Sequence, residues 1–182
     1  EILIIMKRQY RILDRIISAF ALFTIVAAGN AFAFADGGNV FTDDKNNVRW
    51  TVVGPDGGDV RSIAIDPKDK NRIYISTLDG QIHTSADGGR TWTLLVNLEK
   101  PQLVIDDLLV DPRDSNVIYA SGHRHKAPGG FFKSKDAGKT WKESKELKNE
   151  PIHAMAQSES DPNFLFVGTT DGVWVSKDSG ED

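Results

Sequence analysis

The chain of 182 residues is 40% hydrophobic and 26% charged, with a formal net charge of −4. That balance excludes a disordered tail and offers no basic surface to nucleic acid or to an anionic membrane. Cysteine is absent, which excludes disulfides, thiol catalysis and cysteine-ligated zinc, and no motif calls for a cofactor.

Residues 1–35 read as upstream sequence followed by an export signal. Met6 is followed by Lys7, Arg8, Arg11 and Arg15, then by an apolar run over 16–28 broken only by Ser18 and Thr24, then by Ala31-Phe32-Ala33-Phe34-Ala35. A basic segment, an apolar segment and a small-x-small exit make a cleavable signal. The run is shorter than the roughly 20 residues of a spanning helix. The expectation is an exported protein, periplasmic or extracellular, with no permanent membrane insertion and a folded region over 36–182.

Within the folded region a single phrase is written repeatedly. Ser85, Asp87, Gly89, Thr91 and Trp92 recur as Ser134, Asp136, Gly138, Thr140 and Trp141, and a third copy begins with Ser176, Asp178 and Gly180. A second landmark, Asp69-x-Asn71, Asp114-x-Asn116 and Asp161-x-Asn163, spaces the units at 116−71 = 45 and 163−116 = 47 residues. A period of about 45 residues built of short strands is that of a four-stranded propeller blade.

The strands follow in order. The first unit, about 59–98, has Val60–Ile65, Ile73–Ser76, Ile82–Ser85 and Trp92–Val96. The second, about 99–148, has Val104–Val110, Val117–Ala120, Phe131–Ser134 and Trp141–Ser144. The third, about 149–182, has Ile152–Ala156, Phe164–Gly168 and Val173–Ser176. No helical period runs through this region, so the fold is all-β: a β-propeller of four-stranded antiparallel blades with about three blades present. Trp50-Thr51-Val52-Val53 resembles an outer strand without its blade, and about 48–53 is expected to be a closing strand. Propeller rings hold about four to eight blades, so the chain is expected to be a piece of a larger, incomplete ring.

The repeated phrase is expected to fasten hairpins. The Asp carboxylate is placed to accept backbone N–H groups across a tight turn, and the glycine supplies a conformation other residues resist. Asp66-Pro67 and Asp111-Pro112 are expected to stop the innermost strands.

At these residues the sequence resembles the BNR/Asp-box repeat β-propeller superfamily, over about residues 50–182. Its members include sortilin-type receptors, photosystem II assembly factor-like propellers, sialidases and xyloglucanases. The resemblance implies that the boxes lie away from the ligand face, so Asp87, Asp136 and Asp178 are structural. The arginines and the Arg-Ile-Pro sequence of sialidases have no match. The xyloglucanase branch implies a catalytic carboxylate near Asp79, whose Asp-Gly turn recurs at Asp171-Gly172. Asp106 and Asp107 stand on an inner strand, where alternation would send only one of them, taken as Asp107, to a groove. No catalytic residue is assigned beyond these two candidates, Asp79 and Asp107.

One stretch breaks the period. The second unit carries extra residues around His123, Arg124, His125, Lys126 and Pro128, read as a loop that could contact a ligand. His123 and His125 have no third ligand nearby in sequence, so no metal site is expected. The resulting expectation is a non-enzymatic scaffold that binds a protein or an extracellular polysaccharide, with a xyloglucanase-type glycoside hydrolase as the alternative.

Overall fold

The computed structural model describes residues 50–56 and 58–181, which fall in one structural unit spanning Gly38–Asp182. The expected export signal lies outside the described residues, as do positions 48 and 49 of the expected closing strand. Residues 50–53 are not assigned to a strand, and Trp50 is fully exposed.

Three antiparallel sheets follow one another along the chain. The first holds β1 (Ser62–Ile65), β2 (Ile73–Ser76), β3 (Gln81–Ser85) and β4 (Thr93–Asn97), with a single 3-10 turn at Leu78–Gly80 between β2 and β3. The second holds β5 (Val104–Val110), β6 (Ile118–Arg124), β7 (Ala127–Ser134) and β8 (Lys142–Glu143), and the third β9 (Ile152–Gln157), β10 (Leu165–Thr169) and β11 (Gly172–Ser176). In each sheet every strand pairs with its neighbour in sequence, the simple meander of a propeller blade. Among the described residues no helix is long and apolar enough to cross a membrane.

One expected element is corrected. Residues 123–128 are not a loop departing from the sheet, because β6 runs on to Arg124 and β7 begins at Ala127. Only His125 and Lys126 remain as the turn, with Lys126 in the left-handed region at φ 56°. Glycine makes the extension possible. A Cβ on Gly122 would collide with the Val104 carbonyl oxygen, and one on Gly129 with that of Gly122, so the three strands approach more closely there than side chains allow.

Alternation along the strands divides the core between two interfaces. Ile118, Ala120 and Phe132 pack toward the first sheet, in a cluster with Ala64, Tyr74, Ile82, Leu103, Ile105, Leu108 and Val110. Tyr119 and Phe131 turn to the other face and pack with Ile152, Met155, Leu165 and Val167 of the third sheet. The second sheet is thus covered on both sides. The outer faces of its neighbours carry exposed apolar residues, among them Ile63 and Ile65 on one and Phe166 and Val175, a cross-strand pair, on the other.

A four-stranded meander has two distinct ends, and the backbone hydrogen bonds identify them. At one end the β3–β4 hairpin meets the β1–β2 turn: the Gly88 amide donates to the Asn71 carbonyl at 2.9 Å, as Ala137 does to Asn116 at 2.9 Å and Ser179 to Asn163 at 2.8 Å. At the other end the β2–β3 turn meets the connection between sheets. There the Gly80 amide donates to the Leu103 carbonyl at 2.9 Å, and the Gly130 amide to that of Glu150 at 3.1 Å.

The repeated phrase occupies the first of these ends. Ser85 Oγ donates to Asp87 Oδ1 at 2.8 Å and accepts the Gly89 amide at 2.8 Å. Asp87 accepts the amides of Arg90 and Thr91, each at 2.9 Å, and the Thr91 hydroxyl at 2.7 Å. Trp92 Nε1 closes the turn on the Gly89 carbonyl at 3.1 Å. The second copy has the same bonds from Ser134, Asp136, Thr140 and Trp141, and the third has those of Ser176, Asp178 and Gly180. Hydrogen bonds from the Thr140 hydroxyl and amide, then from Ser134, hold Asp136 down at about 2.

At the same end a buried aspartate joins each sheet to the next. Asp66 accepts the Lys68 amide at 2.9 Å and the hydroxyl of Ser115, from the following unit, at 2.8 Å. Asp111 accepts from Arg113 Nη2 at 2.7 Å, from Tyr119 at 3.1 Å and from Gln157 of the third sheet at 2.9 Å. Arg113 itself reaches Asn163 at 2.6 Å and Ser179 at 2.8 Å. Burial pushes the Asp111 carboxyl up, but the bonds from Arg113, Gln157 and Tyr119 overcome it and hold the group well below the usual carboxylate range.

Two outcomes follow from these contacts. Ser134→Ala strands the buried Gly138 amide and should cost about 1–3 kcal/mol in urea unfolding; an unchanged midpoint would contradict the fastening role. Because the folded carboxyl of Asp111 titrates below its unfolded value, its contribution is complete above about pH 5 and drains as the pH falls further. The urea midpoint should therefore drop more steeply between about pH 5 and pH 3 in the wild type than in Asp111→Asn.

Candidate functional site

The end opposite the fastened hairpins is open. A groove of about 530 Å³ lies there, lined by Leu78, Asp79, Gln102, Val104 and the run His123, Arg124, His125 and Lys126. Two features that the sequence offers separately, the Asp79 turn and the irregular stretch of the second unit, are therefore walls of one groove. His125 and Lys126 are exposed at the tip of the β6–β7 hairpin, and Arg124 Nε donates to the Pro128 carbonyl at 2.6 Å, which holds that hairpin in shape.

Asp79 is exposed and sits in the left-handed region at φ 59°. Its Oδ1 accepts the Gln102 amide at 3.2 Å, so the carboxylate links the β2–β3 turn to the connection leading into β5. Among the residues that line this groove it is the single carboxylate.

The second acidic candidate corrects an expectation. Strand alternation would place Asp106 and Asp107 on opposite faces, but β5 carries a bulge: Ile105 pairs with Gly122 and Asp107 with Ser121, leaving Asp106 as the extra residue. Both acids then turn toward β9. Asp106 reaches His153 Nδ1 at 3.9 Å, and the Met155 backbone amide bonds Asp107. Burial, with the Asp106 carboxylate as a second cause, pushes Asp107 up to about 6 against the pull of that amide.

Asp106 also pairs with His123 Nδ1, and the rings of His123 and His153 lie 4.7 Å apart between centroids, tilted by 46°. The three side chains offer ligand atoms within 4.8 Å of one another. Sequence proximity pairs His123 with His125, two residues along, yet His125 stays outside this cluster. His153 escapes a search by proximity because it is thirty residues away (153−123 = 30) and joins only when the third sheet packs on the second. The repeat does hold a usable signal: Asp106 and His153 each stand ten residues before the turn asparagine of their unit, Asn116 and Asn163, where the first unit has Arg61 before Asn71.

Comparison with known proteins places the whole region. The profile of the DUF6242 beta propeller domain matches residues 14–180. The chain belongs to the DUF6242 β-propeller family. It is 31% identical over 132 residues to xyloglucanase Xgh74A of Acetivibrio thermocellus, a match that covers 64% of this chain and 15% of that enzyme. It is 27% identical over 82 residues to a probable oligoxyloglucan-reducing end-specific xyloglucanase of Neosartorya fischeri, covering 43% of this chain and 10% of the relative. The chain thus spans a small fraction of the length of these curated relatives.

Solved structures share the fold. An ancestral GH74 enzyme superposes with a TM-score of 0.59 at 22% identity, covering 72% of this chain and 19% of the enzyme. YCF48 bound to D1 peptide superposes with a TM-score of 0.56 at 15% identity, covering 72% of this chain and 41% of YCF48. The propeller architecture is common to both, and such architectures host unrelated activities.

The groove depends on the close approach of β5, β6 and β7. Gly122→Ala should drive a methyl group into the Val104 carbonyl and cost about 1–3 kcal/mol. Thermal melting measures the loss, and a variant as stable as the wild type would show that the close approach is not required.

Proposed function

We propose that this member of the DUF6242 β-propeller family is an exported, non-enzymatic scaffold that holds a protein segment or an extracellular polysaccharide in the groove lined by Asp79, Gln102 and His123–Lys126. The observation that carries the reading is the composition of that groove. It presents two imidazoles, a guanidinium, an ammonium, an amide and one carboxylate beside the apolar Leu78 and Val104. Such a lining binds hydroxyl or carboxylate groups along an extended ligand, with apolar side chains to receive its hydrophobic faces. A glycosidase needs two carboxyl groups flanking the bond at about 5–9.5 Å, and the groove supplies one.

Export rests on the basic, apolar and small-residue segments of 1–35. A binding role also fits the structural neighbours, which include YCF48 bound to D1 peptide alongside GH74 enzymes.

A second reading is favoured by one specific observation. The match to the Acetivibrio thermocellus xyloglucanase runs through 64% of this chain, and Asp79 stands on the groove wall. On that reading the chain is a segment of a glycoside hydrolase that cleaves β-glucan.

The two readings separate in one paired assay. The chain is titrated calorimetrically with a xyloglucan oligosaccharide and with an extended acidic peptide, and reducing ends are measured with polymeric xyloglucan. The scaffold reading expects binding of one probe, weakened at least about tenfold, or 1.4 kcal/mol, in an Arg124→Ala/Lys126→Ala double variant, with no release of reducing ends. Reducing ends released by the wild type and lost in Asp79→Asn would overturn it in favour of the hydrolase.

A further inference from the structure

We infer that Asp106, His123 and His153 form a binding site for a divalent transition metal ion of the zinc class, bridging the second and third sheets. The groove reading neither requires this site nor depends on it.

The geometry rests on two breaks in otherwise regular ladders and on one residue in regular alternation. Asp106 is the extra residue of a bulge in β5, between the pairs Ile105 with Gly122 and Asp107 with Ser121. His153 is the extra residue on β9, where the register steps from Gly168 with Ala154 to Thr169 with Ile152. His123 needs no bulge of its own: it pairs in register with Val104 and shares the parity of Tyr119, which faces the third sheet. A bulge turns a side chain away from the direction that alternation dictates. Here bulges on two strands, one in each sheet, bring Asp106 and His153 to the histidine that the regular alternation of β6 already presents.

The donor set selects the ion. Two imidazole nitrogens and one carboxylate oxygen suit zinc and its first-row neighbours, whereas calcium and magnesium call for shells of oxygen. The ligand atoms lie within 4.8 Å of one another, and His153 Nδ1 stands 3.9 Å from Asp106 Oδ2. Bonds of about 2.0–2.2 Å to a common ion place neighbouring ligand atoms a little over 3 Å apart in a tetrahedron, a change that small side-chain rotations supply. Asp106 and His123 are partly buried and His153 is exposed, so the site has a dry side and an open side. Three protein ligands leave a fourth position for water or for an oxygen atom of a bound ligand.

The same position in the first unit is Arg61, which cannot ligate a metal, so the site belongs to the junction of the second and third sheets alone among the described residues. A metal there would staple those two sheets at the groove end, across from the Asp111 bonds at the fastened end.

Isothermal titration of the full chain with zinc chloride, after treatment with chelator, tests the inference. One ion should bind per chain, with affinity reduced about 10- to 100-fold or more in His123→Ala and in His153→Ala and unchanged in His125→Ala, which alters an exposed imidazole outside the cluster. Cobalt substitution should give visible d–d absorption that the His153→Ala chain lacks. His153 is exposed and its loss is compatible with folding, which circular dichroism verifies. Absence of binding by the wild type, or binding that His153→Ala leaves intact, would overturn the site.

Discussion

A carboxylate taken out of water costs several kcal/mol unless donors replace its hydration, and Asp111 is enclosed at the junction of the second and third sheets. The guanidinium of Arg113, the phenol of Tyr119 and the amide of Gln157 supply those donors, and they come from two sheets. Satisfying this one group therefore fixes where one blade stands against the next. Asp66 does the same through Ser115 at the preceding junction. Apolar alternation then fills the space between the sheets, with Ile118 and Phe132 on one side of the second sheet and Tyr119 and Phe131 on the other. The stacking that results brings β5 alongside β9 and so creates the cluster of Asp106, His123 and His153.

The periodic features of this architecture are legible in the sequence because they are local. Ser85, Asp87, Gly89 and Thr91 bond to one another within a single turn, so their spacing carries the whole of their geometry. Strand positions follow from the same periodicity, and the all-β meander is read correctly from it. The bonds of Asp66 and Asp111 are only half legible. Their role in ending a strand follows from the proline beside them, but their partners Ser115 and Gln157 belong to the next unit, and no spacing rule names them.

The features that sequence reasoning misreads are non-local. The stretch 123–128 looks like a loop because it adds residues to the repeat, whereas the close packing of β5, β6 and β7 that Gly122 and Gly129 allow makes it a longer hairpin. Asp106 and Asp107 look like residues on opposite faces because a bulge leaves no mark in an apolar/polar alternation. His153 joins a site only through the packing of two sheets. In each case a tertiary contact overrides a local rule.

The two ends of the meander thus have different work. One is consumed by hydrogen bonds within and between units, and the other holds the non-repeating residues around a groove. The chain has no cysteine, so a single one can be placed at either end, as Lys126→Cys on the groove hairpin or Lys139→Cys in the fastened turn, both at exposed positions. Coupling a bulky maleimide polymer to each and measuring retention of the bound glucan or peptide tests the assignment of function to one end. The label at position 126 should abolish binding and the label at position 139 should leave it intact. Loss of binding from position 139, with position 126 silent, would contradict that assignment.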